Sequence, residues 1–156
     1  MFVSDLTLIE EGVFLSGAEA AHHHRLHVQA GFGLVINCTN DVSFMQNRIP
    51  GVRYVRCRIN DDLRPREIAK MANALPSLVK EIRETRLRGS SVLVYCRMGI
   101  QRSACIIAAY MMQTRGVGWK CAVDIVRSAR PSAFVPEVNF RGALESFQDY
   151  LAHGYQ

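Results

Sequence analysis

The sequence predicts an α/β domain: a central, mostly parallel sheet of roughly four to five strands flanked by helices, with a Cys-x5-Arg loop between the central strand and a helix. Three observations carry that prediction. Short apolar runs alternate with longer helical patterns up to Gln113, after which only helical patterns follow. The run Ser91-Val92-Leu93-Val94-Tyr95 is followed at once by Cys96-Arg97-Met98-Gly99-Ile100-Gln101-Arg102-Ser103 and then by an apolar helix. Finally, no Pro/Gly/Ser-rich linker, repeat or low-complexity stretch divides the 156 residues, so residues 1–156 read as one domain.

The elements follow in chain order. Leu6–Glu10 and Val13–Ser16 flank Glu11-Gly12 and read as a short strand pair. Ala18–Gln29 is helical by composition. Gly33–Cys38 is an apolar run ending in Thr39-Asn40-Asp41, a buried strand and its turn. Tyr54–Ile59 is another strand, entered through Pro50-Gly51 and closed by Asn60-Asp61-Asp62. Pro65 suits a first helical turn. From there Ile68, Met71, Ala72, Leu75, Leu78, Val79 and Ile82 recur at helical spacing, with Pro76 inside predicting a kink or a break. Gly89 stops that helix, and Ser103–Gln113, apolar nearly all round, is a buried helix. Lys120–Ala129, stopped by Pro131, and Glu137–Leu151 are the last two helices.

Bulk properties narrow the function. Apolar residues make up 49% of the chain, enough for a packed core. No apolar run reaches the ~18 residues of a membrane span. Met1-Phe2-Val3-Ser4-Asp5 is neither a secretory n-region nor a myristoylation site, and His153-Gly154-Tyr155-Gln156 has no prenylation cysteine. A soluble protein, cytoplasmic or also nuclear, monomeric or weakly dimeric, is expected. The net charge of +5 suits an anionic partner, but no basic block interleaved with aromatics indicates nucleic acid. Five cysteines without CxxC spacing argue against a zinc site and a disulfide framework and for a reducing compartment.

The loop after the central strand carries the chemistry. It lies at the carboxyl edge of the sheet, where ligands bind in open α/β folds. Backbone N–H groups converge there on a helix N-terminus, which favours an anion and lowers a thiol's pKa from its free value of about 8.5. Arg102 can grip two phosphate oxygens at once. Gly99 lets the N–H groups of Arg97, Met98, Gly99, Ile100 and Gln101 turn inward, and Ser103 can donate a hydrogen bond to the cysteine sulfur. A lone Cys96 would read as a small buried hydrophobe; the set of Cys96, Gly99, Arg102 and Ser103 with an acidic turn upstream reads as phosphate-ester hydrolysis through cysteine.

On these residues the chain resembles the cysteine-dependent protein phosphatases, and more closely the small dual-specificity phosphatases that consist of a catalytic domain alone. Outside the Cys-x2-Gly-x2-Arg-Ser loop, the resemblance rests on Val13-Phe14-Leu15-Ser16-Gly17, Val35-Ile36-Asn37-Cys38-Thr39-Asn40, Ile59-Asn60-Asp61-Asp62 and Val126-Arg127-Ser128-Ala129-Arg130-Pro131. It implies a phosphocysteine on Cys96, phosphate held by Arg102 and the loop, and Asp61 as general acid with Asp62 as the rival. It also implies phosphotyrosine and phosphoserine or phosphothreonine on proteins as substrates, with no cofactor and no metal. A phosphoinositide or RNA 5′-phosphatase on the same fold, or a catalytically weak phospho-binding module, are the alternatives. Arg97 bears on the first of these, since a second cation in the loop would suit a polyanion, though a solvent-facing residue is the blander reading.

Two positions depart from the family pattern. Tyr95 stands where a histidine is frequent, and Glu137 lies near the place of an asparagine that hydrogen-bonds the loop; both bear on rate. Other features are discounted. His23 and His27 have a metal-ligand spacing within His22-His23-His24 and His27, but lack a third ligand, so a polar helix face is the reading preferred. Cys38 reads as a buried strand thiol rather than a disulfide partner of oxidised Cys96, and Trp119 as a core anchor.

Overall fold

The computed structural model describes residues 5–154; the terminal readings on Met1–Ser4 and Tyr155-Gln156 lie outside them. Its sheet has five strands in the order β1-β2-β5-β3-β4. These are β1 Leu6–Glu10, β2 Val13–Ser16, β3 Phe32–Asn37, β4 Arg53–Arg56 and β5 Ser91–Tyr95. Strands β2, β5, β3 and β4 are parallel, and β1 alone runs antiparallel to its neighbour β2. The central three strands carry continuous apolar runs because both of their faces are covered. On one face the sheet meets α3 (Pro65–Leu87), α4 (Arg102–Arg115), α5 (Trp119–Ala129) and α6 (Arg141–Ala152) around the larger core. The other face is closed by α1 (Ala18–Ala21), α2 (His24–Ala30) and the aromatic side chains Phe14, Phe32, Phe44 and Tyr54.

Helix α4 is the pillar of the larger core. Ser103 to Met112 are all buried, so the helix has no solvent face until its last turn, and α3, α5 and α6 pack around it. Its first residue directly follows the Cys96 loop, so core packing fixes the loop's far end.

Four expectations are corrected. Ala18–Gln29 is not one helix: His23 is extended between α1 and α2. The His22 ring reaches back to the Ala18 carbonyl with Nδ1 (2.6 Å) and across to the Ser43 carbonyl with Nε2 (2.8 Å), which closes the first short helix. Of the kink or break expected at Pro76, the break is absent: helix α3 runs continuously from Pro65 to Leu87. A proline in a helix interior costs about 3 kcal/mol, and buried Met71, Leu75, Leu78, Val79 and Ile82 anchor both halves against that cost. Strand β4 ends at Arg56 rather than Ile59, because β3 supplies no partner beyond the Cys57 N–H bond to the Asn37 carbonyl. The last helix begins at Arg141, four residues after Glu137, which leaves 131–140 as a loop beside the Cys96 loop. Trp119 is only half-buried and packs at the edge of the larger core. Among the described residues no helix is long and apolar enough to cross a membrane.

If α4 is the pillar, Ile106→Ala should cost about 2–5 kcal/mol through the cavity it leaves. The check is a lowered urea midpoint at unchanged m-value.

Candidate active site

Strand β5 delivers Cys96 to the carboxyl edge of the sheet, 2% exposed, with its Sγ 3.1 Å from Ser103 Oγ. Between them the loop turns the carbonyls of residues 97–100 outward, where Ala18, Arg130 and Phe134 take them. The Arg97 carbonyl accepts from Ala18 N (2.9 Å) and the Ile100 carbonyl from Phe134 N (2.8 Å). The Met98 and Gly99 carbonyls accept from Arg130, from Nη2 at 3.0 Å and Nε at 2.8 Å. Among the described residues no protein acceptor takes the N–H groups of residues 98–101. Peptide planes whose carbonyls point out must point their N–H groups in, so the loop forms a nest for an anion at the N-terminus of α4.

Gly99 is required by this geometry. It sits at φ +69°, and a Cβ there would fall 2.7 Å from the Ser16 carbonyl carbon and oxygen. Arg130 is 8% exposed and braces the loop from behind. Its Nη1 donates to the Asp5 carbonyl (2.7 Å) and Thr7 hydroxyl (3.0 Å), and Nη2 pairs with the Asp5 carboxylate at 3.0 Å. That carboxylate also accepts the N–H of Gly17, at 3.1 Å. Sequence reasoning assigned no role to Arg130 or Asp5; the signal available was the resemblance of the stretch ending at Arg130-Pro131.

Arg102 donates from Nη1 to the Ile59 carbonyl at 2.9 Å, while its buried Nε has no protein partner. A buried guanidinium nitrogen without an acceptor, beside inward N–H groups, is a place for an anionic oxygen. Arg97 instead points outward and pairs with Asp41 at 2.7 Å, which holds the Asp41 carboxyl below the usual carboxylate range.

The acidic turn lies across from the loop. Its start is pinned where Glu67, 3% exposed, accepts the Asn60 N–H at 2.8 Å and pairs with Lys70 at 2.9 Å; the Asn60 hydrogen bond chiefly holds the Glu67 carboxyl below its ordinary range. The two aspartates then diverge. Asp62 accepts from the Arg64 backbone N–H at 3.1 Å and lies 3.5 Å from the same residue's Nε, a local turn contact. Asp61 turns the other way and accepts a hydrogen bond from Asn139 Nδ2 at 2.9 Å.

Asn139 corrects the expectation for Glu137. The Glu137 side chain is exposed, and its backbone carbonyl, not its carboxylate, takes a hydrogen bond from Gln101 Nε2 at 2.7 Å. What meets the loop two residues later is the backbone N–H of Asn139, which donates to Gln101 Oε1 at 3.0 Å. Gln101 therefore keeps its backbone in the loop but sends its side chain to the 135–139 segment. Tyr95, 1% exposed, lies on the other face of the sheet, edge-on to Phe44, and donates its hydroxyl to the Ser43 carbonyl at 3.3 Å.

The remaining candidates play structural parts. His22 contacts two backbone carbonyls, as above, and His27 Nε2 lies 2.8 Å from the Ala21 carbonyl. Cys38 is fully buried as a free thiol pushed well up, by burial first and by Cys57 and Cys96 after it. Burial likewise raises Cys57 to about 11 and drives Cys105 upward.

Residues 13–150 match the family described as dual specificity phosphatase, catalytic domain. The chain belongs to the dual specificity phosphatases. This phosphatase is 32% identical over 145 residues to mouse dual specificity phosphatase 28, covering 92% of this chain and 83% of that one. It is 40% identical over 78 residues to human dual specificity protein phosphatase 22, across 50% of this chain and 42% of the other. Among solved structures it superposes on human DUSP28 with TM-score 0.83 at 28% identity, covering 97% of both chains. It also superposes on a mouse dual specificity phosphatase complexed with zinc tungstate, with TM-score 0.85 at 29% identity, covering 97% of this chain and 92% of that one.

Gly99→Ala in this phosphatase should cost at least about 1–2 kcal/mol for the left-handed backbone alone and weaken binding of an oxyanion such as tungstate. Urea unfolding and a tungstate titration read the two effects. The raised thiols make a second prediction. At neutral pH iodoacetamide should leave Cys38, Cys57 and Cys105 unmodified in the folded protein while exposed Cys121 reacts. A raised thiol pKa stabilises the fold below the unfolded thiol value of about 8.5 and loses that contribution as pH climbs toward the folded value. Protection should therefore fail on the alkaline side, as followed by peptide mass mapping.

Proposed function

We propose that this phosphatase hydrolyses phosphate monoesters of protein tyrosine and serine or threonine through a phosphocysteine on Cys96, with Asp61 as general acid and then general base. The observation that carries the reading is the unpartnered Arg102 Nε beside the inward loop N–H groups, with Cys96 Sγ at the loop's start. The solved relative with tungstate, a tetrahedral oxyanion of phosphate's shape, supports it.

In the first step the Cys96 thiolate attacks phosphorus as the bond to the ester oxygen breaks. Asp61, in its acid form, delivers its proton to that oxygen. Arg102 and the loop N–H groups hold the equatorial oxygens as charge shifts onto them. In the second step water attacks the phosphocysteine, Asp61 takes the water's proton, and the sulfur–phosphorus bond breaks. The Ser103 hydroxyl, 3.1 Å from Sγ, stabilises the departing thiolate. Asp61 is preferred to Asp62 because Asp62 is engaged with Arg64, whereas Asp61 reaches toward the loop through Asn139.

The Asp41–Arg97 pair bears on substrate class. With Arg97 met by a carboxylate, the loop offers no unpaired second cation to a polyphosphorylated head group, which favours protein monoesters over phosphoinositides. Five free cysteines, one of them exposed, support a reducing setting, cytoplasmic or nuclear.

Hydrolysis of p-nitrophenyl phosphate across pH tests the mechanism. Wild type should turn over, Cys96→Ser should be inactive yet still bind a phosphopeptide, and Asp61→Asn should lose about 10²-fold or more together with the basic limb of the profile. An Asp61→Asn protein with an unchanged profile would pass the role to Asp62. A folded but inert wild type would favour the binding-module reading.

A further inference from the structure

Gln101 is the last loop residue before Arg102 and is only 4% exposed. Both ends of its carboxamide are engaged with one segment. Nε2 donates to the Glu137 carbonyl at 2.7 Å and lies 3.4 Å from the Val135 carbonyl, while Oε1 accepts the Asn139 N–H at 3.0 Å. The partners fix the amide's orientation, since a flipped group would set its oxygen against two carbonyl oxygens. Asn139, whose backbone Gln101 holds, then donates from its own side chain to Asp61 Oδ1 at 2.9 Å.

The connection spans three separated parts of the chain. Gln101 lies 38 residues from Asn139 in sequence, and Asn139 lies 78 from Asp61. Asp61 is exposed, and among the described residues its carboxylate has no other protein hydrogen-bond partner. The Asn139 bond also selects an oxygen. An N–H donated to Oδ1 finds its acceptor there, which leaves Oδ2 to carry the transferable proton.

We propose that Gln101 is a positioning residue: through Asn139 it holds Asp61, with its proton on Oδ2, at the leaving-group oxygen of the phosphate gripped by Gln101's own loop. This rests on the reading of Asp61 as general acid. The phosphate and the acid then keep one geometry because one side chain ties their two loops together. A purely structural Gln101 would support the loop and leave proton transfer alone.

Leaving-group dependence separates the two roles. A nitrophenolate departs with little help, whereas a phenolate, close to tyrosine in basicity at a pKa of about 10, needs the proton. The experiment compares kcat/KM, which covers only the steps up to leaving-group departure, for p-nitrophenyl phosphate and phenyl phosphate in wild type, Gln101→Met, Asn139→Ala and Asp61→Asn, with tungstate affinity as a check on the loop. Gln101→Met keeps the side chain's length and removes its hydrogen bonds. Asn139→Ala leaves the backbone bonds to Gln101 in place and removes only the link to Asp61, so it carries the test if Gln101→Met fails to fold.

The expected result is a loss of about tenfold to a hundredfold in kcat/KM on phenyl phosphate, a clearly smaller loss on p-nitrophenyl phosphate, and a weakened basic limb in the kcat/KM profile. Neither substitution should change the substrate ratio further in an Asp61→Asn background. Equal losses on both substrates with the basic limb intact would overturn the proposal while leaving Asp61 as the acid. An Asp61→Asn protein that shows no leaving-group dependence would overturn both.

Discussion

Arg130 places its whole guanidinium against the back of the phosphate loop. Two nitrogens hold the carbonyls of Met98 and Gly99, and the edge facing away is held by the carbonyl and carboxylate of Asp5 and the hydroxyl of Thr7. A cation this buried is tolerable only because nearly every donor has an acceptor and a carboxylate balances its charge. The loop's inward N–H groups are the consequence: once its carbonyls are fixed outside, the amides have nowhere else to point. The antiparallel β1 follows from the same need. Running against β2, it starts beside Ser16 at the carboxyl edge of the parallel strands and so brings Asp5 to Arg130 and Gly17. A fully parallel sheet would leave the start of β1 at the opposite edge.

Where burial alone decides, the sequence was readable. The apolar runs of β3 and β5 and the all-round apolar α4 can only be interior elements, and they are found where the pattern puts them. The placement of Cys96 and Arg102 was readable for a related reason, because a strand, a six-residue spacing and a helix start force both onto one short loop. The errors arise where tertiary partners compete with local preference. The alanine-rich composition of Ala18–Gln29 favours helix, but the His22 ring contacts the carbonyls of Ala18, behind it in α1, and of Ser43, in a distant loop. Glu137 to Phe140 carry no helix breaker beyond Pro136, yet they stay irregular because Gln101 takes their backbone groups first. Asn139 was invisible for the same reason: nothing in Pro136-Glu137-Val138-Asn139 announces partners on two distant loops.

Asp61 and Asp62 show how far a motif can be taken. Adjacent and identical in type, they could not be separated by spacing. Their partners separate them, one carboxylate closing a turn on Arg64 and the other crossing to Asn139. The same applies to Arg97, whose charge a sequence reading can count but whose pairing with Asp41 only the fold reveals.

The site therefore has a stiff half and a lightly held half, and the chemistry asks for both. The phosphoryl group is gripped in the same way in each step, so the loop that grips it can be tied at the carbonyls of Arg97, Met98, Gly99 and Ile100 and set against a helix buried from Ser103 to Met112. On the proposed mechanism the acid, Asp61, meets two different partners, an ester oxygen and then a water, and must be reached by solvent between them. An exposed aspartate held by one hydrogen bond from Asn139 meets that requirement better than a buried and fully satisfied one. Exposure also lets water in while the first proton is delivered, so the acid's alignment has to come from its tether. Gln101 supplies that alignment from the stiff half, which is why a side chain that turns away from the phosphate belongs to the loop that binds it.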